Sequence, residues 1–278
     1  MSPALGYSAF AAATLFYAVA TVSYYWQIAR GGRNDASENQ RIPPILLGIG
    51  AAAHALYVLV TSFVLHICPV HSVHFILSMA TLLAIAGYLV ARNRLRIYAL
   101  GVALAPLGLV VTLGTFFLGS GPSQKLPASF TVLHVFANLV GVSLFLLAFG
   151  AAVMYLVKER RLKQKKSLLG GGLGPLDSLD RAGHRFLLAG FPLLTLGAAT
   201  GTMYAHGIEP GSLAELLRAI FGYATWLSIA AVLLLRLVAG WRGRRAAYGT
   251  VAGFMCALVV LFIYLVRPAL SASGTLGG

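Results

Sequence analysis

The sequence predicts an all-α fold: a polytopic membrane helix bundle of about eight transmembrane helices, with N-terminus and C-terminus outside. Three observations carry this expectation. Of 278 residues, 59% are hydrophobic and only 10% charged, and the mean hydropathy is +0.83, the composition of a chain that dissolves in lipid. Apolar windows long enough to cross a bilayer, about 20 residues, recur along the whole sequence. The basic residues, finally, gather on alternate connections between those windows, as the positive-inside rule requires.

The first window, 6–27, has no basic residue before it and ends on Tyr24, Tyr25 and Trp26. That is an interfacial aromatic belt, so the segment reads as a span and not as a cleaved signal peptide. Further windows follow at 44–66, 73–91, 97–118, 130–157, 185–205, 219–239 and 247–266. Arg30, Arg33 and Arg41 follow the first span, and Arg92, Arg94 and Arg96 the third. Lys158, Arg160, Arg161, Lys163, Lys165, Lys166, Arg181 and Arg185 lie between the fifth and sixth. Arg236, Arg242, Arg244 and Arg245 lie between the seventh and eighth. This places 18 of the 21 basic residues on one side and leaves Lys125, Arg218 and Arg267 on the other. The net charge of +14 is therefore a basic stripe at an anionic membrane lipid leaflet, and no nucleic acid is needed to explain it.

A single domain, 1–278, is expected, with two notable connections. The cytoplasmic basic, Gly-rich loop 158–184 begins KERRLKQKK as a charged extension of the fifth span, breaks at GGGLGP, and resumes in LDSLDRAGHR as a short surface helix entering the sixth span. No strand precedes these glycines and no Lys-Ser pair ends them, so they mark a hinge and not a phosphate cradle. On the other side, 206–218 reads as an outer loop passing into an amphipathic segment, GSLAELLRAI at 211–220.

Several chemistries are excluded. Cys68 falls in an outer loop and Cys256 about mid-span, too far apart to bridge. There is no CxxC, P-loop, GxSxG or HExxH motif, and the seven acidic residues give no paired-carboxylate site or proton relay inside a span. Chemistry is left to the histidines. His54 lies near mid-membrane, where an ionisable group needs haem iron, a backbone carbonyl or a polar side chain as partner. His66, His71 and His74 occupy HICPVHSVH between the second and third spans, a spacing only loosely like a metal site. His134 opens the fifth span in FTVLHVFANL at the depth of that cluster, and His184 is interfacial on the basic side.

Three ordered segments carry a family resemblance: LHVFANLVGVSLFLLAFGAAVMYLVKERRLKQKK, LDSLDRAGHRFLLAGFPLLTLGAATG and TWLSIAAVLLLRLVAGWRGRRAAYGTVAGF. Together they resemble the cytochrome c assembly family, CcsA/ResC-like, and most of all its eight-span HemX-like branch. The resemblance covers 130–255 well and the earlier spans weakly. It implies a membrane haem-handling protein of cytochrome c biogenesis in a bacterial plasma (inner) membrane. Such a protein holds or delivers haem b at the outer face for apocytochrome c, beside a ResB/CcsB-like membrane partner.

His134 matches the family's outer histidine and His54 the one in an early span, which implies His134 and His54 as haem-iron ligands. Two imidazoles would give a six-coordinate low-spin site, with His66, His71 or His74 pairing His134. The chain departs from the family elsewhere. Leu234 stands where the family has a late histidine, no histidine follows His206, and AHGIEPGSLAELLRAIFGYAT replaces the tryptophan-rich WDPKE-like motif. These departures imply an assembly factor or haem chaperone and not a self-contained haem lyase. The alternatives are a HemX-type regulator of tetrapyrrole synthesis acting on glutamyl-tRNA reductase level, or a non-haem structural subunit. In GFPLLTLGAATG, residues 190–201, Gly197 and Gly201 read as a small-residue packing face. Pro192 is expected to be tolerated near the start of its helix, where amides lack intrahelical partners.

Overall fold

A backbone immersed in hydrocarbon has no water to satisfy its amides, so a chain of this hydropathy closes its hydrogen bonds within helices. The computed structural model describes residues 3–29, 41–65, 73–95, 97, 98, 100–118, 128–164, 175–205 and 213–273, and among these there is no strand. The helices are α1 (Pro3–Ala29), α2 (Ile42–Leu65), α3 (Val73–Leu95), α4 (Leu100–Leu118), α5 (Ala128–Lys163), α6 (Leu176–Ala205), α7 (Leu213–Val238) and α8 (Arg244–Ser273). Seven of them are long and apolar enough to cross a membrane. The eighth, α6, carries Asp177, Asp180, Arg181, His184 and Arg185 in its first turns, which dilutes its apolar length, yet it packs along α5.

Close contacts fix the direction of each helix. In the first half, Gly50 of α2 and Gly108 of α4 both face Tyr17 of α1, while Gly6 faces Val60 and Gly101 faces Tyr24. Helices α2 and α4 therefore run against α1. The Tyr24 and Tyr88 hydroxyls meet at 3.1 Å, so α3 runs with α1. Ser143 Oγ donates to the Ala80 carbonyl at 3.0 Å and Gly87 faces Leu147, which sets α5 parallel to α3. Gly190 faces Leu144 and Gly183 faces Ala151, so α6 returns along α5. The Trp226 indole donates to Thr195 Oγ1 at 2.9 Å, and Gly249 faces Val232, completing the alternation through α7 and α8.

Odd-numbered helices thus start, and even-numbered helices finish, at one end of the bundle, which holds His74 and His134. The opposite end holds Arg92, Arg94, Lys158, Arg160, Arg161, Lys163, Arg242, Arg244 and Arg245. The charge alternation in the sequence is therefore a spatial segregation of the bundle into a histidine end and a basic end.

The main core leans toward the basic end. It joins Tyr17, Tyr24, Leu47, Ile85, Tyr88 and Leu104 of the first four helices to Phe145, Leu147, Leu187, Ile229, Val232 and Phe254 of the last four. A smaller cluster of Ala9, Tyr57, Val58 and Phe75 sits near the histidine end with Phe10 and Phe116, whose rings stack at 4.0 Å.

The basic end is pinned by an ion pair. Arg236 donates NH1 to Asp180 Oδ1 at 2.9 Å and NH2 to Oδ2 at 2.6 Å, and the Gly243 amide adds a third bond to Oδ1 at 2.9 Å. The side chains are only 11–12% exposed. Burial alone would raise the Asp180 carboxyl, but the Arg236 and Gly243 donors outweigh it and hold the group below the usual carboxylate value. Gly243, at φ +62°, adopts the left-handed turn that aims its amide at the carboxylate. His184 lies beside this pair with Nδ1 buried and without a hydrogen-bond partner among the described residues.

Three details differ from expectation. LDSLDRAGHR is helical and enters the sixth span as expected, but without a boundary: Leu176 begins α6, which runs unbroken to Ala205. Pro192 is therefore well inside that helix and not in its first turn, so the missing-partner argument does not apply to it. Its ring is exposed, and having no N–H it leaves the Leu188 carbonyl without its i+4 amide partner. Likewise, 213–220 is the start of the continuous α7 and not a helix of its own, because its apolar face runs on into IFGYATWLSIA. The charged extension of the fifth span is borne out. α5 has 36 residues, about 54 Å at 1.5 Å per residue, and its KERRLK end outruns an apolar layer of about 30 Å.

Candidate functional site

At the histidine end, α5 and α6 approach closely because α6 presents glycine at two points of contact. A Cβ added to Gly197 would lie 2.3 Å from Asn138 Oδ1, and one added to Gly201 would lie 3.3 Å from His134 Cε1. The GFPLLTLGAATG segment is thus more than a smooth packing face. Its glycines leave room for two polar side chains of α5.

His134 is half-buried in this space. Its Nδ1 lies 2.8 Å from Thr200 Oγ1, and Thr200 Oγ1 itself lies 2.7 Å from the Leu196 carbonyl and 3.1 Å from that of Gly197. Two oxygens at 2.7 Å repel unless a proton stands between them, and the carbonyl has none to give. The hydroxyl proton of Thr200 is therefore committed to its own helix, and His134 must donate from Nδ1. The neutral ring then has its lone pair on Nε2, toward which the Asn138 amide is placed, and the Gly197 backbone is a further hydrogen-bond partner of the ring. Asn138, one turn along α5, donates to the His134 carbonyl at 2.9 Å, and its amide nitrogen lies 3.3 Å from both ring nitrogens, favouring neither. Arg218 of α7 is near enough for its charge to act on the His134 ring, and its guanidinium is held by Tyr264 through a 2.8 Å hydrogen bond and a ring contact at 5.5 Å.

His54 sits in a different environment. It is 0% exposed, and both ring nitrogens are engaged: Nδ1 with Tyr17 OH at 3.3 Å and Nε2 with Ser78 Oγ at 3.0 Å. Ser78 meets Thr115 Oγ1 at 2.7 Å, and Thr115 reaches the Val111 carbonyl at 2.9 Å and the His74 carbonyl at 3.1 Å. One proton assignment serves the whole chain. Thr115 donates to a carbonyl, Ser78 to Thr115, His54 Nε2–H to Ser78, and Tyr17 to Nδ1. The result is a closed polar thread through α1, α2, α3 and α4, with no lone pair of His54 left over.

Of the remaining candidates, His74 lies half-buried at the start of α3, at the same end as His134, and enters the network through its backbone carbonyl. His66 and His71 lie outside the described residues, as do Cys68 and His206. Among the described residues no three His, Cys, Asp or Glu side chains gather as a metal centre would require. Sequence reasoning passed over Asn138, Thr200, Ser78 and Thr115. The available signal was the i, i+4 pairing of His134 with Asn138 and a threonine standing between two glycines' turns in an apolar helix.

One prediction follows from the glycine contacts. Gly197→Ala is expected to displace Asn138 and loosen the α5–α6 contact, lowering the detergent-solubilised protein's melting temperature, whereas Gly222→Ala, where nothing lies within 4 Å of the added methyl, is expected to stabilise α7 by about 0.5–1 kcal/mol through helix propensity. Equal melting temperatures for the two variants would contradict the contact geometry.

Comparison with known proteins gives a family match and no match among solved structures. The family model described as "Cytochrome C assembly protein" matches residues 51–270. The chain is 27% identical over 192 residues to the cytochrome c biogenesis protein CcsA of Guillardia theta, covering 61% of this chain and 63% of that protein. It is 29% identical over 168 residues to CcsA of Prochlorococcus marinus (strain MIT 9312), 53% of each. It is 26% identical over 173 residues to CcsA of Chlamydomonas reinhardtii, 60% of this chain and 47% of that one. The chain thus spans between about half and just under two thirds of these curated relatives.

Proposed function

This chain belongs to the cytochrome c assembly protein family, and from that premise we propose that it is a membrane haem-handling protein of cytochrome c biogenesis. In this reading the histidine end faces outward, the basic end faces the anionic cytoplasmic leaflet of a bacterial plasma membrane, and haem b is held at the histidine end for delivery to apocytochrome c. A ResB/CcsB-like membrane subunit is the partner.

The observation that carries the reading is the state of His134. An imidazole ligates iron through an unprotonated nitrogen, and iron-bound histidines as a rule donate the other ring N–H to a neighbouring acceptor. His134, half-buried at the end of the bundle with Nδ1 2.8 Å from Thr200 Oγ1, meets the second condition, and its Nε2 would exchange the 3.3 Å contact with the Asn138 amide for iron. His74, at the same end of the bundle, and His66 and His71 are the candidates for a second ligand. His54 does not fit, because it is fully buried, with Tyr17 and Ser78 against its two nitrogens and no exposed face for a porphyrin. Bound haem would supply the iron and the porphyrin to be attached to the apocytochrome; the chain's contribution is to hold and orient it and to keep His134 in its ligating tautomer.

The test is genetic and biochemical. Deletion of the gene is expected to remove covalently haem-stained c-type cytochromes from membranes, with restoration by a plasmid copy. Retained haem staining together with an altered level of glutamyl-tRNA reductase would overturn this reading in favour of a HemX-type regulator.

A further inference from the structure

Of the basic residues, only Lys125, Arg218 and Arg267 belong to the histidine end. Arg218 lies in the second turn of α7 and is half-buried. Its NH1 donates to the Tyr264 hydroxyl of α8 at 2.8 Å, and its guanidinium carbon stands 5.5 Å from the centre of the same ring. One helix supplies the cation and the next fixes its direction. Among the described residues no carboxylate pairs with it, because the ion pairs found there all belong to the basic end.

A half-buried guanidinium loses solvation that an anion restores best, and the positive-inside bias works against a base on the outer side. Tyr264 orients the charge without neutralising it. It takes one N–H of NH1 and leaves the rest of a planar fork whose geometry matches a carboxylate. The level of Arg218 follows from the contacts below it. Trp226, eight residues on, donates to Thr195 of α6, so Arg218 sits about 12 Å further toward the histidine end at 1.5 Å per residue. Thr200, which touches the His134 ring, lies about 8 Å beyond Thr195 in the same direction. Arg218 therefore stands just outward of His134, near enough for its charge to act on that ring. Exposed apolar side chains adjoin both: Leu216 and Ile220 flank Arg218 on α7, and Leu133 and Phe136 flank His134 on α5. A ligand suited to this surface is apolar over most of its area and carries carboxylate at one edge. Porphyrin, a planar macrocycle with two propionates on one edge, has that form.

We propose that Arg218, held in place by Tyr264, is a carboxylate-binding residue that receives a porphyrin propionate at the histidine end. The identity of the ligand rests on the haem-handling reading. The site itself requires no particular iron ligand and no nitrogen of His134, because a metal-free porphyrin carries the same two carboxylates. Tyr264 is a positioning residue that acts through Arg218 alone.

The experiment uses full-length protein in detergent and follows porphyrin fluorescence on titration with metal-free protoporphyrin IX and with its dimethyl ester, which differs only at the carboxylates. Wild type is expected to bind the diacid about 10–100-fold more tightly than the diester, the range of a charge-assisted hydrogen bond. Arg218→Gln is expected to lose that preference by weakening the diacid alone. Tyr264→Phe, which keeps the ring and removes the hydroxyl, is expected to fall between wild type and Arg218→Gln, and melting temperatures control for folding. A diacid preference that survives Arg218→Gln, or a wild type that binds both forms alike, would overturn the proposal; if haemin still gives a stoichiometric Soret band, the haem reading survives that failure. Equal binding of the two porphyrins, with short-chain phosphatidylglycerol bound more tightly by wild type than by Arg218→Gln, would assign the arginine to a lipid phosphate instead. A wild type that binds neither porphyrin nor haemin overturns both readings. An Arg218-dependent diacid preference in a protein whose haemin complex shows no six-coordinate low-spin spectrum keeps the carboxylate site and removes the histidine-ligand reading.

Discussion

Replacing His134 by alanine is expected to abolish the Soret band of the purified protein while leaving its fold intact. The imidazole is only half-buried and sits near the end of the bundle, outside the main core. Its removal leaves Thr200 with its intrahelical bonds at 2.7 and 3.1 Å and Asn138 with its bond to the residue-134 carbonyl at 2.9 Å, so few groups lose a partner. The stability cost should be about 1 kcal/mol or less, the scale of a single hydrogen bond between helices in a membrane. The spectroscopic effect should be complete, because in the proposed function His134 would be the residue that holds the haem iron. Absorbance of the purified variant after haemin addition, beside circular dichroism as a fold control, checks both halves. A Soret band of wild-type intensity in the variant would remove His134 from the site.

His54→Ala is expected to give the opposite pattern. The side chain is fully buried, and its loss opens a cavity and severs two hydrogen bonds. Tyr17, also 0% exposed, loses the acceptor for its hydroxyl. Cavity formation together with interhelical bonds of about 0.6–1.7 kcal/mol each gives an expected loss of roughly 2–4 kcal/mol, seen as a melting temperature lower by about 5–10 °C. Haem binding per folded molecule should be unchanged. His54→Ala with normal stability and a lost or shifted haem spectrum would place His54 in the metal site and refute the closed hydrogen-bond thread.

The contrast between these two histidines shows where sequence reasoning reached and where it stopped. The helical class, the segregation of basic residues to one end and the family were legible, because hydropathy and charge alternation are linear properties of the chain. Both histidines looked alike in one dimension, each a polar residue in an apolar run. Their difference depends on Ser78, Thr115 and Tyr17 for one and on Thr200 for the other, partners from 24 to 66 residues away. Hydroxyl side chains inside membrane helices commonly bond their own backbone, so the threonine alone does not distinguish Thr200 from Thr195 or Thr225, which bond only within their helices or to an indole, and only the flanking Gly197 and Gly201 set it apart. The boundary errors have a related cause. Charged residues at Asp177 and Asp180 and the loop-like 211–220 looked like ends of spans, but an ion pair with Arg236 and an apolar continuation let both helices run on.

Titration of the purified wild-type protein with haemin, with pyridine haemochrome quantitation of the oxidised and reduced forms, tests most directly whether the protein holds haem at His134. A stoichiometric Soret band with a sharp reduced α band is the predicted result. A protein that stays colourless after haemin addition would contradict the account, leaving a family fold without its cofactor.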